Sequence, residues 1–447
     1  MAKAKVNQST RLDNRLAAIT ISGFKSIRAE KTLALSALNI LAGANSAGKS
    51  SFMQPLLLLK QTMEAPYDPG PLLINGPNVK FTELAQIFSK PGARKPLQVG
   101  LTNVQGEELK LYFDLDAKKR LRITKNVFVD DKGCGYELNE NLSVTELLEV
   151  LDELDESDST GSSREIRVKV LKRFSEIKVS QERAFLKITG TGEHHSFTVG
   201  AFDTIFEEWI SRSIIHVPGL RGSPERSYPK TAVGDHYPGT FDIYVASIIA
   251  EWQDTNDERL TVLGNQLQQL GLTWKVTSKK LDDTRVELQV GRLPSAAKGG
   301  DKDLVSIADV GFGVSQVLPV LVALLIARPG QVVYIEQPET HLHPKAQRAL
   351  AGIFAHAATQ QATVVVETHS LIFVRAVQTL VAKQELAKEL VKLHWVERDA
   401  KGDTTVTTRE LDNAGAYGDW PQDFEATEMA VEQDYLDAAE KVLFNHG

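Results

Sequence analysis

The residues from Gly43 to Ser50 fit the spacing G-x-x-x-x-G-K-[ST]. Each residue type has a reason. Glycine lets a loop backbone curl until successive N–H groups point at one anion. A helix that starts just after the loop adds the partial positive charge of its N-terminus. Lys49 can reach the outer phosphates of a nucleotide, and the Ser50 hydroxyl suits Mg2+. Further along, Gly311, Gly313, Ser315 and Gln316 precede an apolar run. They form either a second anion-binding helix start or a Gly-rich turn with a serine N-cap. Glu336 ends a β-rich apolar run, the place of an acid that holds a Mg2+ shell. His341 and His343 lie beside Glu339, but no cysteine or third histidine is near, so a zinc site is not expected. Val364, Val365 and Val366 lead into Glu367, Thr368, His369 and Ser370, another buried strand with a polar end.

The elements that must position these residues follow from the pattern. Leu33 to Leu41 reads as a buried strand and Ser51 to Lys60 as a helix with Pro55 in its early turns, so the loop has the strand–loop–helix context it needs. Ala17 to Phe24 alternates like a strand and turns at Lys25-Ser26; a second strand is expected over 31–41. Residues 66–80 are a Pro/Gly-rich loop, and 81–88 a short helix. Strands at 97–103, 108–115 and 120–129 predict an antiparallel sheet. An amphipathic helix over 142–157 ends in acids, and Arg164 to Arg173 form a basic block. Both charge blocks read as solvated faces, or as a contact surface for nucleic acid or a partner. A strand at 213–217 leads into a loop that contains Arg221 and Arg226. Helices near 241–252 and 257–270, strands at 273–278 and 284–291, and a helix at 317–327 follow. Residues 331–336, 363–367 and 390–396 read as strands, and 418–424 as a turn before a final acidic helix. Parallel strands with polar ends place those ends along one sheet edge, where ligands bind in open α/β folds.

Composition sets outer bounds. A chain of 447 residues holds about three average domains, or one large domain with insertions. Its net charge of −7 argues against a surface that is basic all over. The single cysteine, Cys134, permits no intrachain disulfide and fits a reducing cytosol. The first residues lack the apolar core of a signal peptide. The apolar run 317–327 is too short to span a bilayer and includes Pro319. A cytoplasmic chain with no membrane span is expected.

Taken together, these motifs resemble the ABC-type ATPase heads of the SMC, RecF and OLD proteins, and most of all the OLD-like AAA ATPases of bacterial phage-defence operons. The phosphate loop, Gly311 to Gln316, Glu336 to Pro344 and Glu367 to Ser370 carry the likeness, with Ile19 to Ser26 typical of the group. It covers 17–65 and 305–375. The resemblance implies an α/β P-loop NTPase head with a mixed sheet, an antiparallel β subdomain and a helical insertion. Sustained heptads are missing from 66–304, so no long coiled coil is expected. The implied organisation is a loose 1–16, an N-terminal ATPase lobe at 17–130, a middle region at 131–304, a C-terminal ATPase lobe at 305–384, and a strand and helix at 385–447.

The resemblance also implies roles. Two protomers would sandwich two ATPs with Mg2+. Gly43, Asn45, Ser46, Gly48, Lys49, Ser50 and Ser51 would bind from one side; Gly313, Ser315 and Gln316 would reach the γ-phosphate of the opposite protomer's ATP. Glu336 would be the Walker B acid, Leu342, His343 and Pro344 the D-loop, and His369 the γ-phosphate sensor. Ser50, Glu336 and Gln86, at the Q-loop place, would form the metal shell.

Two departures shape the expected activity. The family's usual catalytic glutamate is Gln337 here, and an amide can position water but cannot take its proton. Hydrolysis is then slow, or Glu339 or the γ-phosphate assists. Residues 385–447 are too short for the metal-nuclease domain of OLD nucleases, so a nuclease effector would act in trans. The expectation is an oligomeric ATP switch that controls such an effector in anti-phage defence, with DNA or a phage component as trigger. A RecF-like repair ATPase and a non-hydrolysing ATP-gated scaffold are the alternatives. Lys49→Ala should abolish ATP binding without unfolding the chain. Calorimetry that gives equal affinity for variant and wild type would reject the loop assignment.

Overall fold

The computed structural model describes residues 15–418, apart from 91–94, 144, 148–175, 193–195, 200–202, 233, 294, 296–299 and 361. Most of the 142–157 helix, the basic block and the segment after Gly418 lie outside the described residues.

The central sheet has six strands in the order Ile214–Val217, Val332–Glu336, Thr363–Glu367, Leu38–Ala42, Val391–Arg398, Thr404–Glu410. All neighbours are parallel except the last pair, an antiparallel hairpin. The strands read as unbroken apolar runs because both faces are covered. Their side chains alternate between two cores. Val333, Ile335, Val364, Val366 and Ile40 join one, with the helices Val245–Thr255, Phe312–Ile326, Pro344–Ala358 and Leu371–Ala382. Val332, Tyr334, Val365, Leu41 and Val396 join the other, with the helix Ser50–Met63 and a second sheet. That second sheet is antiparallel, in the order Lys31–Ala34, Leu16–Ser22, Leu97–Asn103, Glu108–Leu115, Leu121–Val129, Gly135–Asn139. Two smaller antiparallel sheets form around Phe185–Thr191 and Arg285–Gly291. This is a mixed α/β fold with an antiparallel β subdomain. Among the described residues the longest helices have 15 residues, and none is long and apolar enough to cross a membrane.

The continuous strand expected over 31–41 is two strands in different sheets. Ser36 N–H donates to Asn39 Oδ1 (2.8 Å), and Asn39 Nδ2 donates back to the Ser36 carbonyl (2.7 Å). This reciprocal Ser36–Asn39 pair closes the turn between the antiparallel sheet and the parallel one. The short helix expected over 81–88 is a single 3-10 turn, Leu84–Gln86. The helix expected over 317–327 begins five residues earlier, at Phe312, and ends at Ile326. The helix Ser50–Met63 is anchored at its far end by a fully buried Lys60–Glu64 pair. Lys60 also donates to the Tyr237 carbonyl at 3.0 Å, and Glu64 accepts from Gly239 N–H at 3.0 Å.

His394, beside the phosphate-loop strand, is fully buried between Asn39 Oδ1 (3.4 Å) and Thr408 Oγ1 (3.0 Å). Burial, helped by Lys392, pushes its pKa down to about 3. The folded state therefore keeps the ring neutral, whereas the unfolded chain takes a proton below roughly pH 6.5. Stability should fall as pH drops from 7 toward 3, with about 2 kcal/mol lost by pH 5 from this group. Denaturant unfolding at pH 5 and pH 8 should show a shallower acid slope in His394→Gln; identical slopes would reject the assignment.

Candidate active site

The phosphate loop is shaped by what surrounds it. Gly43 has φ +146°, and a Cβ there would lie 2.0 Å from the Val396 carbonyl oxygen. Gly48 has φ +106°, and its Cβ would lie 2.4 Å from Thr404 Oγ1. No other residue fits either position without moving the neighbouring hairpin. That hairpin also holds the loop from outside. Arg398 Nε donates to the Ser46 carbonyl at 2.8 Å, and Thr404 Oγ1 to the Ala47 carbonyl at 2.8 Å. Asn45 and Ser46 are exposed at the loop tip, and Ser51 is buried behind it. The helix that follows has no side-chain cap, so its start has the character of an anion site. Lys49 is buried and turns into the loop, donating to the Gly43 and Ala44 carbonyls at 2.9 Å each. Burial lowers its pKa, while Glu367 and Glu339 act in the opposite direction.

Glu336 and Glu367 are register partners at the ends of neighbouring strands, and Glu367 is also paired with Leu41. The two-residue strand period puts both acids on the face that carries Tyr334 and Val365, the face covered by the helix Ser50–Met63. Ser50 Oγ donates to Glu367 Oε2 at 2.9 Å, and the Tyr334 hydroxyl donates to Glu367 Oε1. Glu336 instead meets His216 Nε2 (3.2 Å) and Gly219 N–H (3.1 Å). Burial, then the charge of Glu336, raises the Glu367 pKa to about 7. Burial also opposes ionisation of Glu336, but His216, Gly219 N–H and Tyr334 hold it below the usual carboxylate range. Glu336 is the ionised member of the pair.

The segment after Glu336 turns back over this edge. Gln337 has φ +44°, and its N–H donates to the Glu367 carbonyl at 2.8 Å. Glu339 Oε1 accepts from His369 N–H at 2.7 Å, while its Oε2 is buried with no partner. The His369 ring is half-buried; burial and then Lys49 lower its pKa, against the Gly43 carbonyl. A neutral imidazole therefore sits beside the loop.

The Gly311–Gln316 segment divides. Gly311 is the N-cap of its helix, without a side-chain cap, and Ser315 lies inside the first turn, where Oγ donates to the Phe312 carbonyl at 3.0 Å. A serine N-cap is therefore not what starts this helix. A Cβ on Gly313 would lie 3.2 Å from Leu272 and 3.5 Å from the His341 carbonyl. Phe312 is half exposed and Ser315 partly exposed, but Gln316 points inward, with Nε2 donating to the Arg221 and Gly222 carbonyls at 3.1 and 3.2 Å. The structure thus separates Gln316 from the exposed face that Phe312 and Ser315 share. Gln86 is also not brought to the metal position. Its Oε1 accepts from Thr82 and Glu83 N–H, closing a capping box within its own turn. His341 packs on Phe312, ring centroids 5.6 Å apart, and His343 Nδ1 accepts from Lys345 N–H as the N-cap of the helix Pro344–Ala358. Neither takes part in a metal cluster. Among the described residues no group of three or more His, Cys, Asp or Glu could hold a metal.

Three contributors were not singled out from the sequence. Glu367 had a legible signal, since it ends a valine run as Glu336 does. His216 had none. Arg221 is 7% exposed and donates to four carbonyls: Pro218 (2.8 Å), Gln316 (2.6 Å), Glu336 (2.5 Å) and Gln337 (3.2 Å). Burial lowers its pKa to about 10, so it stays charged.

The oxygen donors Ser50 and Glu367, bonded to each other, fit Mg2+, which binds through one or two protein oxygens plus phosphates and waters. The curled loop and the orphaned Glu339 oxygen make room for polar ligand atoms beside it. Residues 38–375, well over half of the chain, match the family described as "AAA domain, putative AbiEii toxin, Type IV TA system". The chain belongs to this family. The match takes in every site residue above except Arg398 and Thr404, so this AAA domain recruits part of its loop support from beyond the family's span. No curated protein matches the chain in sequence. Three solved structures are similar to it over most of its length. An SMC head bound to the C-winged helix domain of ScpA has 11% identity, covering 90% of this chain and 99% of that one, with TM-score 0.42. The SMC head domain from Thermotoga maritima has 12% identity, 89% and 100% coverage, and TM-score 0.40. The Smc head with an extended coiled coil, bound to the C-terminal domain of ScpA derived from Pyrococcus furiosus, has 11% identity, 94% and 99% coverage, and TM-score 0.44.

Arg221→Ala should remove a buried charged donor shared by four carbonyls and cost about 3–5 kcal/mol, the usual range for breaking a buried charged network. Arg221→Lys should recover less than half, because one ammonium cannot span the same set. Denaturant midpoints of the two variants test this; an Arg221→Ala midpoint equal to wild type would reject it.

Proposed function

We propose that this AAA-family chain is an ATP-binding, slowly hydrolysing switch that works as a dimer or higher oligomer and controls an effector in trans. One observation carries the reading. Lys49, Ser50, Glu367, Glu336 and His369 converge on a single sheet edge, while the uncapped helix start at Phe312 to Ser315 presents an exposed face with no nucleotide loop of its own. Such a half-site becomes useful when a second copy supplies the loop. Lys49 would leave the Gly43 and Ala44 carbonyls for the β- and γ-phosphates. Ser50, with a strand-end carboxylate at this edge, would hold Mg2+, which supplies charge neutralisation at the phosphates. His369 would report on the γ-phosphate.

The activity is slow in this reading because Gln337 cannot take a proton from water, and loss of general-base help typically lowers rate by about 10²–10⁴. Glu339, with one unpartnered oxygen, is the carboxylate that would compensate. A non-hydrolysing ATP-gated scaffold is the second reading, favoured by the same Gln337. The family description names a toxin and a toxin–antitoxin system, which supports a role in conflict or defence rather than housekeeping repair. A separate nuclease is the effector class we favour, triggered by DNA or a phage component.

Turnover with and without duplex DNA separates the switch, a RecF-like DNA-loading ATPase and the scaffold. Mixing Lys49→Ala with Ser315→Arg should restore ATP-dependent association that neither variant shows alone, since one composite site survives per dimer. If the mixture associates no better than the single variants, the trans arrangement fails.

A further inference from the structure

Glu336, the acid that the spacing marks for the metal, bonds to groups other than the phosphate-loop serine. Its two oxygens go to His216 Nε2 at 3.2 Å and Gly219 N–H at 3.1 Å. His216 is itself fixed, stacked on Tyr334 with ring centroids 5.3 Å apart and with Nδ1 3.1 Å from Asn78 Nδ2. The approach is close: a Cβ on Gly219 would lie 3.2 Å from Glu336 Oε2, a tight contact. These contacts build a cradle for Glu336 on the side of the strand Ile214–Val217, away from Leu38–Ala42.

The acid that touches Ser50 is Glu367. Its strand lies between that of Glu336 and that of the phosphate loop, and Ser50 Oγ donates to Glu367 Oε2 at 2.9 Å. A hydroxyl that gives its proton to a carboxylate keeps its lone pairs for a cation.

We propose that Glu367, not Glu336, is the carboxylate next to the Mg2+ of the bound nucleotide, acting with Ser50, while Glu336 stands behind it as the charge that keeps His216 and the Gly219 loop in place. This rests on the nucleotide reading above. It makes the strand Thr363–Glu367 contribute both the metal-side acid and, two residues on, the His369 sensor, so metal and γ-phosphate would be read from one strand end.

ATP binding measured by calorimetry with Mg2+ and with EDTA, together with Mn2+ paramagnetic resonance in the presence of ATP, tests this without relying on turnover. Wild type should bind ATP more tightly with Mg2+ than in EDTA. Glu367→Gln still offers an oxygen to Ser50 and Tyr334, so a purely structural role would survive it. The proposal instead expects the Mg2+-dependent gain in affinity and the ATP-dependent Mn2+ affinity to drop about 10–100-fold, as for lost metal-site partners. Affinity in EDTA should stay within about twofold. Glu336→Gln should retain most of the Mg2+ gain. Should Glu367→Gln lose cooperative unfolding, Glu367→Asp, which withdraws the charge by one methylene, gives the same reading. A Mg2+ gain that survives in Glu367→Gln and disappears in Glu336→Gln overturns the proposal and leaves the nucleotide site standing. Wild type that binds no ATP in either condition overturns both.

Discussion

A buried acid and a part-buried one, at the ends of neighbouring parallel strands, constrain this structure more than any other pair. Glu336 and Glu367 face each other in register, and such a pair is costly unless each carboxylate has its own donors. The surroundings meet that demand asymmetrically. One acid takes a histidine ring and a glycine N–H; the other takes a serine and a tyrosine hydroxyl. The chemistry of the edge follows, because one carboxylate stays ionised while the other is poised near neutral pH.

Support for this edge comes from segments far apart in the chain. The hairpin Val391–Arg398 and Thr404–Glu410 presses on the phosphate loop so closely that only glycine fits at 43 and 48. Arg221 ties the carbonyl ends of the Glu336 strand to the first turn of the helix Phe312–Ile326. One guanidinium thus connects the side proposed to hold phosphates to the side proposed to meet a second copy. A shift of that helix would be felt at Glu336 through a charged, buried and geometrically demanding contact.

The proposed slow switch draws on these same features. The loop, the acids and the histidine are in place, but the position after Glu336 is an amide in a left-handed backbone conformation. Its backbone, with N–H on the Glu367 carbonyl and carbonyl on Arg221, couples the two strand ends.

Much of this was legible along the chain. The phosphate loop, the runs that end in Glu336 and Glu367, and the antiparallel strands from 97 to 129 are local patterns, set by backbone permissiveness, the two-residue strand period and a buried parallel sheet's need for unbroken apolar strands. The break near Ser36 was hidden because a short turn closed by a Ser–Asn pair carries little hydrophobic signal. What only the tertiary structure decided is which acid meets Ser50, that Gln316 and Gln86 turn away, and that Arg221 and His216 belong to the site. Strand order places Glu367 between Glu336 and the loop, and side-chain donors 90 to 350 residues apart in sequence, such as those of Arg221 and Thr404, compete for particular carbonyls. Residue spacing encodes local periodicity, but not which distant carbonyl or carboxylate will be within 3 Å of a given donor.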